Sequence, residues 1–493
     1  MFTVNGHARR LCTGLTRRDL IKVGGLGLAS AYAPLSQATT STTSALPNFG
    51  KAKNCICLFL YGSHSQIETF DPKPDAPIGI RGELGSIDSA IPGVRVNELL
   101  PNTAKITDRL TIIRSMTHPY PVHGVAYAMT GNPRVTLPEE LNPHAPAHWP
   151  YLGSLVDFLD GRAAVGDVPP VPRNMGLPWS FSSQRIGEVA RAGPYGGFLG
   201  SAYDPTWTEF VGQGTRKAYK TLTDKVWNDF ELYRGVTPES RLRLPGMTEQ
   251  SATELSVDRL GARKSLLEQM EELRRGESGW VEDRNRAQGY RLLDNPKFRD
   301  AFDLSKEPES VRNTYGMTLF GQSTLTARRL IEAGGRFVSV FWDEFGLAGT
   351  GWDTHWDHFP RMKDELLPGL DMALSGLIAD LDRRGMLDDT LVLLQSEHGR
   401  TPQIATGPKG GGRDHWSRCY SIVMAGAGVK RANVIGRSDS IAGTVVDNPV
   451  SPKDVMATTL HLLGHDPTSV IYDRQNRPLE LVPESRILSE VLA

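Results

Sequence analysis

Seven of the 12 histidines of this 493-residue chain lie in or just beside short polar segments next to predicted strands, and most of these segments also carry carboxylates. They are His64, His118, His123, His355, His358, His398 and His415. Imidazole and carboxylate together suit zinc, manganese or iron, whereas calcium and magnesium prefer shells of oxygen alone. The residue types therefore indicate a divalent-metal site. The alternative is a hydrogen-bonded polar cluster that only positions loops.

Most of these segments follow an apolar run that predicts a buried strand. The predicted strands are Cys55–Tyr61, Leu110–Arg114, Phe337–Trp342, Thr390–Gln395 and Tyr420–Ala425. The runs are largely apolar and do not alternate strictly, which is typical of a parallel sheet covered on both faces. Ligands bind beyond the carboxyl ends of the strands in such sheets. We therefore expect the imidazoles and carboxylates to meet in one crevice.

Helical patterns lie between the predicted strands. The clearest runs from about Arg361 to Arg384, with a leucine-rich stripe, a Pro368 that kinks the helix or marks its start, and Gly385 at the C-terminal cap. A second helix is predicted over about 451–463, where Ser-Pro-Lys-Asp forms a good N-terminal cap. Strands alternating with helices predict a doubly wound α/β architecture with a mostly parallel sheet.

The segment of about 130–310 interrupts this alternation. Its first half is rich in Pro, Gly and Trp, and its second half, especially Leu255 to Arg291, is charged with helical spacing. We expect a loop-rich and helical insertion that forms a lid or cap within an α/β domain of residues 50–493. The charged helix by itself is typical of a solvated face.

The composition excludes several classes of function. Lys plus Arg number 55 and Asp plus Glu number 56, so the chain lacks the basic excess of a protein that binds nucleic acid. No uncharged apolar stretch reaches about 18 residues, so no transmembrane anchor is expected. The HExxH, GxSxG and P-loop motifs are absent, as is a Gly-rich dinucleotide fingerprint after the first strand. Cys55 and Cys57 are expected to be small core residues on one face of a strand.

The N-terminus has the pattern of an export signal. Arg17 and Arg18 precede an apolar, Gly-rich run from Val23 to Ala33, which ends in a small-x-small cleavage pattern. This order resembles a twin-arginine signal, although an ordinary amphipathic helix would give a similar pattern. We predict that residues 1–45 comprise the signal and a disordered leader, and that the protein is periplasmic or extracellular.

Six motifs distributed over the chain resemble one exported bacterial family, catalogued as domain of unknown function 1501. They read CLFLYGSHSQIETFDPKPDAP, RSMTHPY, GWDTHWDHF, SEHGRTP, GRDHW and PVSPKDVMATTLHLLG. The resemblance extends from about Asn54 to Leu481. It implies the alkaline phosphatase and sulfatase-like fold, a three-layer α/β/α sandwich with one or two divalent metals at the strand ends. Members of that superfamily cleave phosphate or sulfate esters, or transfer the group, through a Ser, Thr or modified Cys nucleophile.

The resemblance also implies roles for particular residues. By position, the metal ligands would be Asp353, His355, Glu397, His398 and His415, and the metal would be zinc or manganese. Arg400 and Arg413 are candidate anion clamps, since a guanidinium forks onto phosphoryl or sulfuryl oxygens. The nucleophile is expected near His123-Gly124, where Thr117 and His123 are the candidates.

The sequence departs from the superfamily pattern in two places. No Asp directly follows the first strand, where the nearest acids are Glu68 and Asp71, and no Cys-x-Pro-x-Arg signature is present. Two functions therefore stay open at this point. The first is an exported, metal-dependent hydrolase that acts on a small-molecule or glycan anionic ester. The second is a catalytically silent surface scaffold or binding protein that keeps the fold. The oligomeric state is left open.

Overall fold

Eight strands of the described chain form a central sheet. In chain order they are β1 (Asn54–Leu60), β2 (Leu110–Met116), β3 (Asn174–Leu177), β4 (Thr206–Trp207), β5 (Phe337–Trp342), β6 (Thr390–Gln395), β7 (Tyr420–Ala425) and β8 (Asn433–Ile435). The computed structural model describes residues 46–119, 124–163, 169, 171–186, 190–222, 225–245, 295–406 and 411–493. All five strands predicted from the sequence are confirmed as members of this sheet.

The sheet is mostly parallel, as predicted. Its strand order is β8-β2-β7-β6-β1-β5-β3-β4. Only β7 among these strands runs antiparallel to its neighbours β6 and β2, and the other pairings are parallel. The apolar run of β7 is buried along its whole length, and an apolar run carries no information about strand direction.

Four long helices in the part of the chain that the structure describes accompany the sheet. They are α1 (Leu152–Ala163), α2 (Leu319–Glu332), α3 (Leu367–Arg383) and α4 (Pro452–Leu462). The two predicted helices are confirmed as α3 and α4, and Ser451 and Asp454 form a capping box at the start of α4. A short helix His358–Arg361 and a π-helical turn Met362–Leu366 lead into α3. The widened turn ends just before Pro368, which lacks the N–H that regular α-helical bonding requires.

Helices cover both faces of the sheet. Successive residues of a strand point to opposite faces, so the contacts of neighbouring residues show what packs on each face. On one face, Leu58 and Val340 share a core with side chains of α2 and α3. On the other face, Ser339 Oγ lies 2.7 Å from the hydroxyl of Tyr151, the residue that precedes α1. The predicted three-layer α/β/α sandwich is therefore confirmed. Cys55 and Cys57 are free and buried, as expected of core residues.

Shorter elements complete the fold. The remaining α-helices are Ile78–Arg81, Pro101–Ile106, Val125–Thr130, Leu137–Glu140, Pro296–Phe302 and Glu309–Tyr315, and the 3-10 turns are Thr107–Arg109, Gly197–Leu199, Ser201–Tyr203, Leu304–Lys306 and Ser489–Val491. Six two-stranded ribbons pair Ser86–Asp88 with Arg95–Asn97, Glu209–Val211 with Arg241–Arg243, Lys217–Leu222 with Lys225–Phe230, Gly399–Arg400 with His415–Trp416, Arg437–Ser438 with Val445–Asp447, and Val470–Tyr472 with Pro478–Glu480.

The segment predicted as an insertion contributes to the central sheet. Strands β3 and β4 both lie within 130–310 and pair in parallel beyond β5. The sequence did not reveal them because each is only two to four residues long. The charged stretch predicted as a helix at 255–291 lies outside the described residues, as does the predicted signal at 1–45.

Residues Pro47 to Ala493 form one structural unit. Within the part of the chain that the structure describes, no helix combines the length and apolar character that crossing a bilayer requires.

A buried ion triad fastens one hairpin to the helical segment before α3. Nζ of Lys220 lies 2.5 Å from Glu231 Oε2 and 3.1 Å from Glu365 Oε1. Lys220 belongs to the hairpin of Lys217–Leu222 and Lys225–Phe230, Glu231 directly follows it, and Glu365 lies in the π-helical turn. All three residues are buried. Because burial raises the pKa of Glu231, the carboxylates depend on the ammonium group as their counter-ion.

Replacing Lys220 by alanine should destabilise the protein strongly. Lys220→Ala leaves two buried carboxylates without the ammonium group that contacts them, and we expect a loss of about 3–5 kcal/mol in the free energy of unfolding. Guanidinium chloride unfolding measures this change. Lys217→Ala, which removes an exposed ammonium from the same hairpin together with its contact to the Phe230 ring, should cost at most about 1 kcal/mol. Equal effects of the two variants would contradict the role assigned to the triad.

Candidate metal centre

The loop after β5 carries Asp353 and His355 and is bonded to the end of β1. The backbone N–H of Trp352 donates to the carbonyl oxygen of Tyr61 at 2.8 Å, and the indole of Trp352 is buried. Strands β1 and β5 are parallel neighbours in the sheet. Their carboxyl ends therefore lie side by side, and the loop after β5 packs on the residues that follow β1.

Two glycines permit the close approach of these segments. Gly62 has a φ of +89°, in the left-handed region, and a Cβ there would overlap the backbone nitrogen of Asp353. A Cβ on Gly412 would overlap the carbonyl oxygen of His355. Any larger residue at either position would push the loop outward. The position of Asp353 and His355 thus depends on residues that have no side chain.

The ribbon of Gly399–Arg400 and His415–Trp416 brings another imidazole to the same place. Arg400 and His415 are direct partners in its antiparallel pairing. The side chain of Gln66 holds the ribbon from the loop after β1. Its Nε2 donates to the carbonyl oxygen of Arg400 at 2.8 Å, and its Oε1 accepts from the N–H of Arg400 at 3.0 Å.

Three ligand atoms converge at this point, from Asp353, His355 and His415, which we name the metal cluster. Oδ1 of Asp353 lies 3.0 Å from Nε2 of His355 and 3.0 Å from Nε2 of His415. The two Nε2 atoms are 3.1 Å apart. Donor atoms around tetrahedral zinc, with bonds of about 2.0–2.1 Å, are separated by roughly 3.3 Å. The spacing of the cluster therefore suits a small divalent cation.

The surroundings of the metal cluster also suit a cation. Nδ1 of His355 lies 2.6 Å from Oδ1 of Asp414, a geometry in which a proton on Nδ1 donates to the carboxylate and the Nε2 lone pair would face a cation in the cluster. Burial raises the pKa of Asp353, but the Arg400 guanidinium and the two imidazoles outweigh burial and hold this pKa well below its usual range. An ionised carboxylate and an imidazole lone pair thus face one point, and this donor set fits zinc or manganese.

Arg400 is buried against the metal cluster, and its guanidinium bonds the protein itself. Nη2 lies 2.6 Å from Oδ1 of Asp353 and also donates to the carbonyl oxygen of Gly62. Nε donates to the carbonyl oxygen of Ser63 at 3.2 Å, and Nη1 donates to that of Arg413 at 3.1 Å. The sequence predicted an anion clamp at Arg400. In this geometry Arg400 holds Asp353 and the loop after β1 in place.

Glu397 and His398 lie beside the metal cluster without joining it. Among the described residues, the cluster is the one group of three or more ligand side chains whose atoms all lie within 4.8 Å of one another. Oε1 of Glu397 accepts from the N–H of Gly62 at 2.7 Å, and burial raises the pKa of Glu397 to about 8. The ring centroid of His398 lies 4.5 Å from that of His415. Both residues therefore line the base of the site.

Arg413 belongs to a second buried ion pair. Its Nη2 lies 2.5 Å from Oε1 of Glu68 and donates to the carbonyl oxygen of Ile80 at 2.6 Å. Its Nη1 donates to the carbonyl oxygens of Thr401, at 3.0 Å, and Pro402. The geometry does not support the predicted anion clamp at Arg413, because protein groups already accept hydrogen bonds from both terminal nitrogens.

Glu68 supports the loop of the metal cluster from behind. Its Oε2 lies 3.3 Å from Nε2 of His358, and Nδ1 of His358 lies 2.7 Å from the hydroxyl of Thr354, between Asp353 and His355 in the sequence. Burial raises the pKa of Glu68, but the charges of Arg413 and His358 lower it to about 2. Glu68 is therefore a charged group that fixes the loop and is not placed as a metal ligand.

The residues predicted to supply a nucleophile follow β2. The N–H of Thr117 donates to the carbonyl oxygen of Val450 at 2.8 Å, and in the described ranges no hydrogen bond connects its hydroxyl with the metal cluster. His123 lies outside the described residues. His118 instead joins the end of β2 to the site, since its Nε2 lies 2.8 Å from the carbonyl oxygen of Glu397.

Two functional positions escaped the sequence analysis. Asp414, which orients His355, was visible only as the acid of the GRDHW motif, directly before an expected ligand. Gly62 was visible only as one glycine after a strand. A carboxylate adjacent to an expected metal ligand is a usable signal for an outer partner of another ligand. The close approach at Gly62 has no signal in the sequence.

The fold and the site together define a class, an α/β/α sandwich with a candidate metal centre at the carboxyl ends of its parallel strands. Within that class, the chain belongs to the family described as protein of unknown function (DUF1501), whose model matches residues 52–492. The family indicated by the sequence motifs is thereby confirmed. A comparison with curated proteins finds no match.

Several solved structures are similar to this chain at low identity. The PsFucS1 sulfatase from Pseudoalteromonas sp. is 12% identical, with a TM-score of 0.36 over 99% of this chain and 77% of that one. The lipoteichoic acid synthase LtaP from Listeria monocytogenes is 10% identical, with a TM-score of 0.33 over 86% and 77%. The zinc complex of the periplasmic domain of EcEptC from Escherichia coli is 10% identical, with a TM-score of 0.31 over 89% and 98%. At such values the function rests on the site geometry alone.

A side chain at Gly62 should disrupt the site. Gly62→Ala introduces left-handed strain and a clash with the backbone of Asp353. Gly93→Ala is the matched control, because Gly93 has a φ of +76° and open space around its Cβ position. Left-handed strain costs each variant about 1–2 kcal/mol of the free energy of unfolding. Gly62→Ala adds the clash, so we expect its free energy of unfolding, measured with urea, to fall by at least about 2 kcal/mol more than that of Gly93→Ala. Equal losses would show that the contact with Asp353 is not tight.

Proposed function

We propose that this protein is an exported, metal-dependent hydrolase of phosphate or sulfate esters. Asp353, His355 and His415 would bind the metal, zinc or manganese. The observation that supports this proposal is the approach of three ligand atoms to within 3.0–3.1 Å, with Asp414 behind His355. The roles of Glu397 and His398 as further ligands, and of Thr117 and His123 as nucleophiles, stay predictions of the sequence.

A divalent cation supplies Lewis acidity for a phosphoryl or sulfuryl oxygen. The chain's own groups prepare the position for it. Asp414 keeps the proton of His355 on Nδ1, and Arg400 keeps the Asp353 carboxylate ionised and oriented. The cluster side chains are 12–21% exposed, so an ester can approach from solvent.

The proposed substrate is a small-molecule or glycan ester that carries the anionic group. The near-neutral charge balance of the chain provides no basic surface for nucleic acid. Export by the twin-arginine route to the periplasm or the exterior is part of the proposal, and it rests on the arginine pair and the apolar run within residues 1–45.

A catalytically silent scaffold or binding protein is the second candidate. The observation that favours it is the occupation of Arg400 and Arg413 by protein groups. Neither of the two predicted clamps is then available to a phosphate or sulfate group. A scaffold would use the same buried charges only to position loops.

Removing a ligand of the metal cluster should abolish metal binding. We expect the purified protein, loaded with zinc or manganese and dialysed, to retain about one equivalent by elemental analysis. Asp353→Asn and His355→Ala should lose it, because each removes one of three ligands. His144→Ala is the control, since its imidazole is exposed and outside the cluster. A parent protein without metal would rule out the proposed centre.

The outer carboxylate provides a graded version of this test. Asp414→Ala removes the group that orients His355, and loss of such a partner weakens metal affinity by about 10–100-fold. Asp388→Ala removes an exposed carboxylate elsewhere and should leave the affinity unchanged. Isothermal titration calorimetry with zinc measures both. An unchanged affinity in Asp414→Ala would mean that Asp414 does not orient His355 for metal binding.

Turnover separates the hydrolase from the scaffold. The metal-loaded protein should hydrolyse at least one of para-nitrophenyl phosphate, bis-para-nitrophenyl phosphate and para-nitrophenyl sulfate. A chelator should abolish the reaction, zinc or manganese should restore it, and Asp353→Asn should be inactive. Tight metal binding with no turnover of the three esters would favour the scaffold.

A further inference from the structure

A cleft of about 700 Å³ opens beside the loop that follows β5, and we name it the aromatic cleft. Its walls come from the strand Glu209–Val211 and the loop that follows it, from the end of the hairpin at Phe230, and from the segment that contains Trp179. Small-molecule sites in proteins measure about 300–1,000 Å³. The volume of the aromatic cleft therefore suits a ligand larger than an ion.

Apolar rings form much of the lining. The rings of Trp179 and Phe345 stack with centroids 5.8 Å apart and planes at 30°. Phe230 adds a ring that is 45% exposed, and the ammonium of Lys217 lies 5.6 Å from the centroid of this ring. An exposed aromatic ring offers a flat apolar surface, and the C–H face of a sugar ring is a suitable partner for it.

Hydrogen-bonding groups stand among these rings. The polar side chains of the lining are those of Gln184, Glu209, Gln213 and Asp229, and no Lys, Arg or His occurs among its described residues. Carboxylates and amides accept and donate hydrogen bonds to hydroxyl groups. The ammonium of Lys217 lies over the Phe230 ring but outside the lining, so the lining itself offers no basic side chain to a phosphate or sulfate group. Arg243 lies 2.5 Å from Glu209 and balances its charge, which weakens the attraction for a cationic ligand.

The hairpin wall of the aromatic cleft is held in place. The ring of Trp227 lies edge-on to Phe345, with centroids 5.8 Å apart, and a Cβ on Gly346 would contact its indole nitrogen. Lys220, on the opposite strand, forms the buried ion triad with Glu231 and Glu365. A wall fixed in this way loses little conformational entropy when a ligand binds.

We propose that the aromatic cleft binds the neutral sugar units of a glycan. The exposed ring of Phe230 stacks on the C–H face of a sugar, and the four polar side chains bond the hydroxyl groups. This binding does not depend on hydrolysis. It would hold a glycan substrate for an esterase, and it would equally serve a scaffold that attaches to a polysaccharide.

An array of immobilised oligosaccharides tests the proposal on the purified full-length protein. The array carries neutral hexose and pentose oligomers of the common linkages, their sulfated counterparts, and choline as a cationic probe. We expect binding to at least one neutral oligosaccharide, followed by calorimetry on that compound. Binding to none of the neutral oligomers, or only to sulfated ones or to choline, would overturn the proposal.

Two variants locate the binding. Phe230→Ala should weaken the affinity about tenfold, as expected for the loss of one stacking ring, and Gln213→Ala should weaken it by removing a hydrogen-bonding group in an exposed loop. Tyr219→Ala is the matched control, because Tyr219 is 65% exposed on the same hairpin but is not part of the lining. Equal losses in Phe230→Ala and Tyr219→Ala, or no loss in the first two variants, would place the sugar elsewhere. Removing the metal should leave sugar binding unchanged.

Discussion

The arrangement of the site depends on the carboxylate of Asp353. One of its oxygens, Oδ1, faces the guanidinium of Arg400 at 2.6 Å and the imidazoles of His355 and His415 at 3.0 Å. These partners come from the loop after β5 and from the ribbon between β6 and β7. A carboxylate that leaves water needs cationic or donating partners. This requirement gathers segments that lie about 60 residues apart in the sequence.

Other buried charges hold the surrounding segments in the same way. The pair of Glu68 and Arg413 joins the loop after β1 to the ribbon, and the triad around Lys220 joins the hairpin to the segment before α3. Each of these charges has a partner of opposite sign inside the protein, so these groups fix loop positions. Where the loops must pass closest, Gly62 and Gly412 leave the space that a side chain would fill. Charge pairing and glycine contacts together give the metal cluster its rigidity.

The pairing of these charged side chains limits which of them can bind a ligand. In the metal cluster, one carboxylate and two imidazoles are partly exposed to solvent. The guanidinium groups of Arg400 and Arg413 donate their hydrogen bonds to other protein groups. The site therefore offers ligands for a cation more readily than it offers cations for an anion. A bound metal would be the main positive charge that faces an anionic ester.

The sequence determined the family, the five principal strands, helices α3 and α4, and the residue types of the metal cluster. These features depend on local apolar patterning, caps and short motifs, which can be identified from residues that are close together in the sequence. Only the tertiary structure decided that β7 runs antiparallel, that β3 and β4 belong to the sheet, and that Arg400 and Arg413 bond the protein itself. Strand direction, short-strand pairing and the partner of a buried charge all depend on contacts between distant segments. The local sequence does not specify which distant group accepts or donates a given hydrogen bond, because the partner depends on how the loops pack in the folded protein.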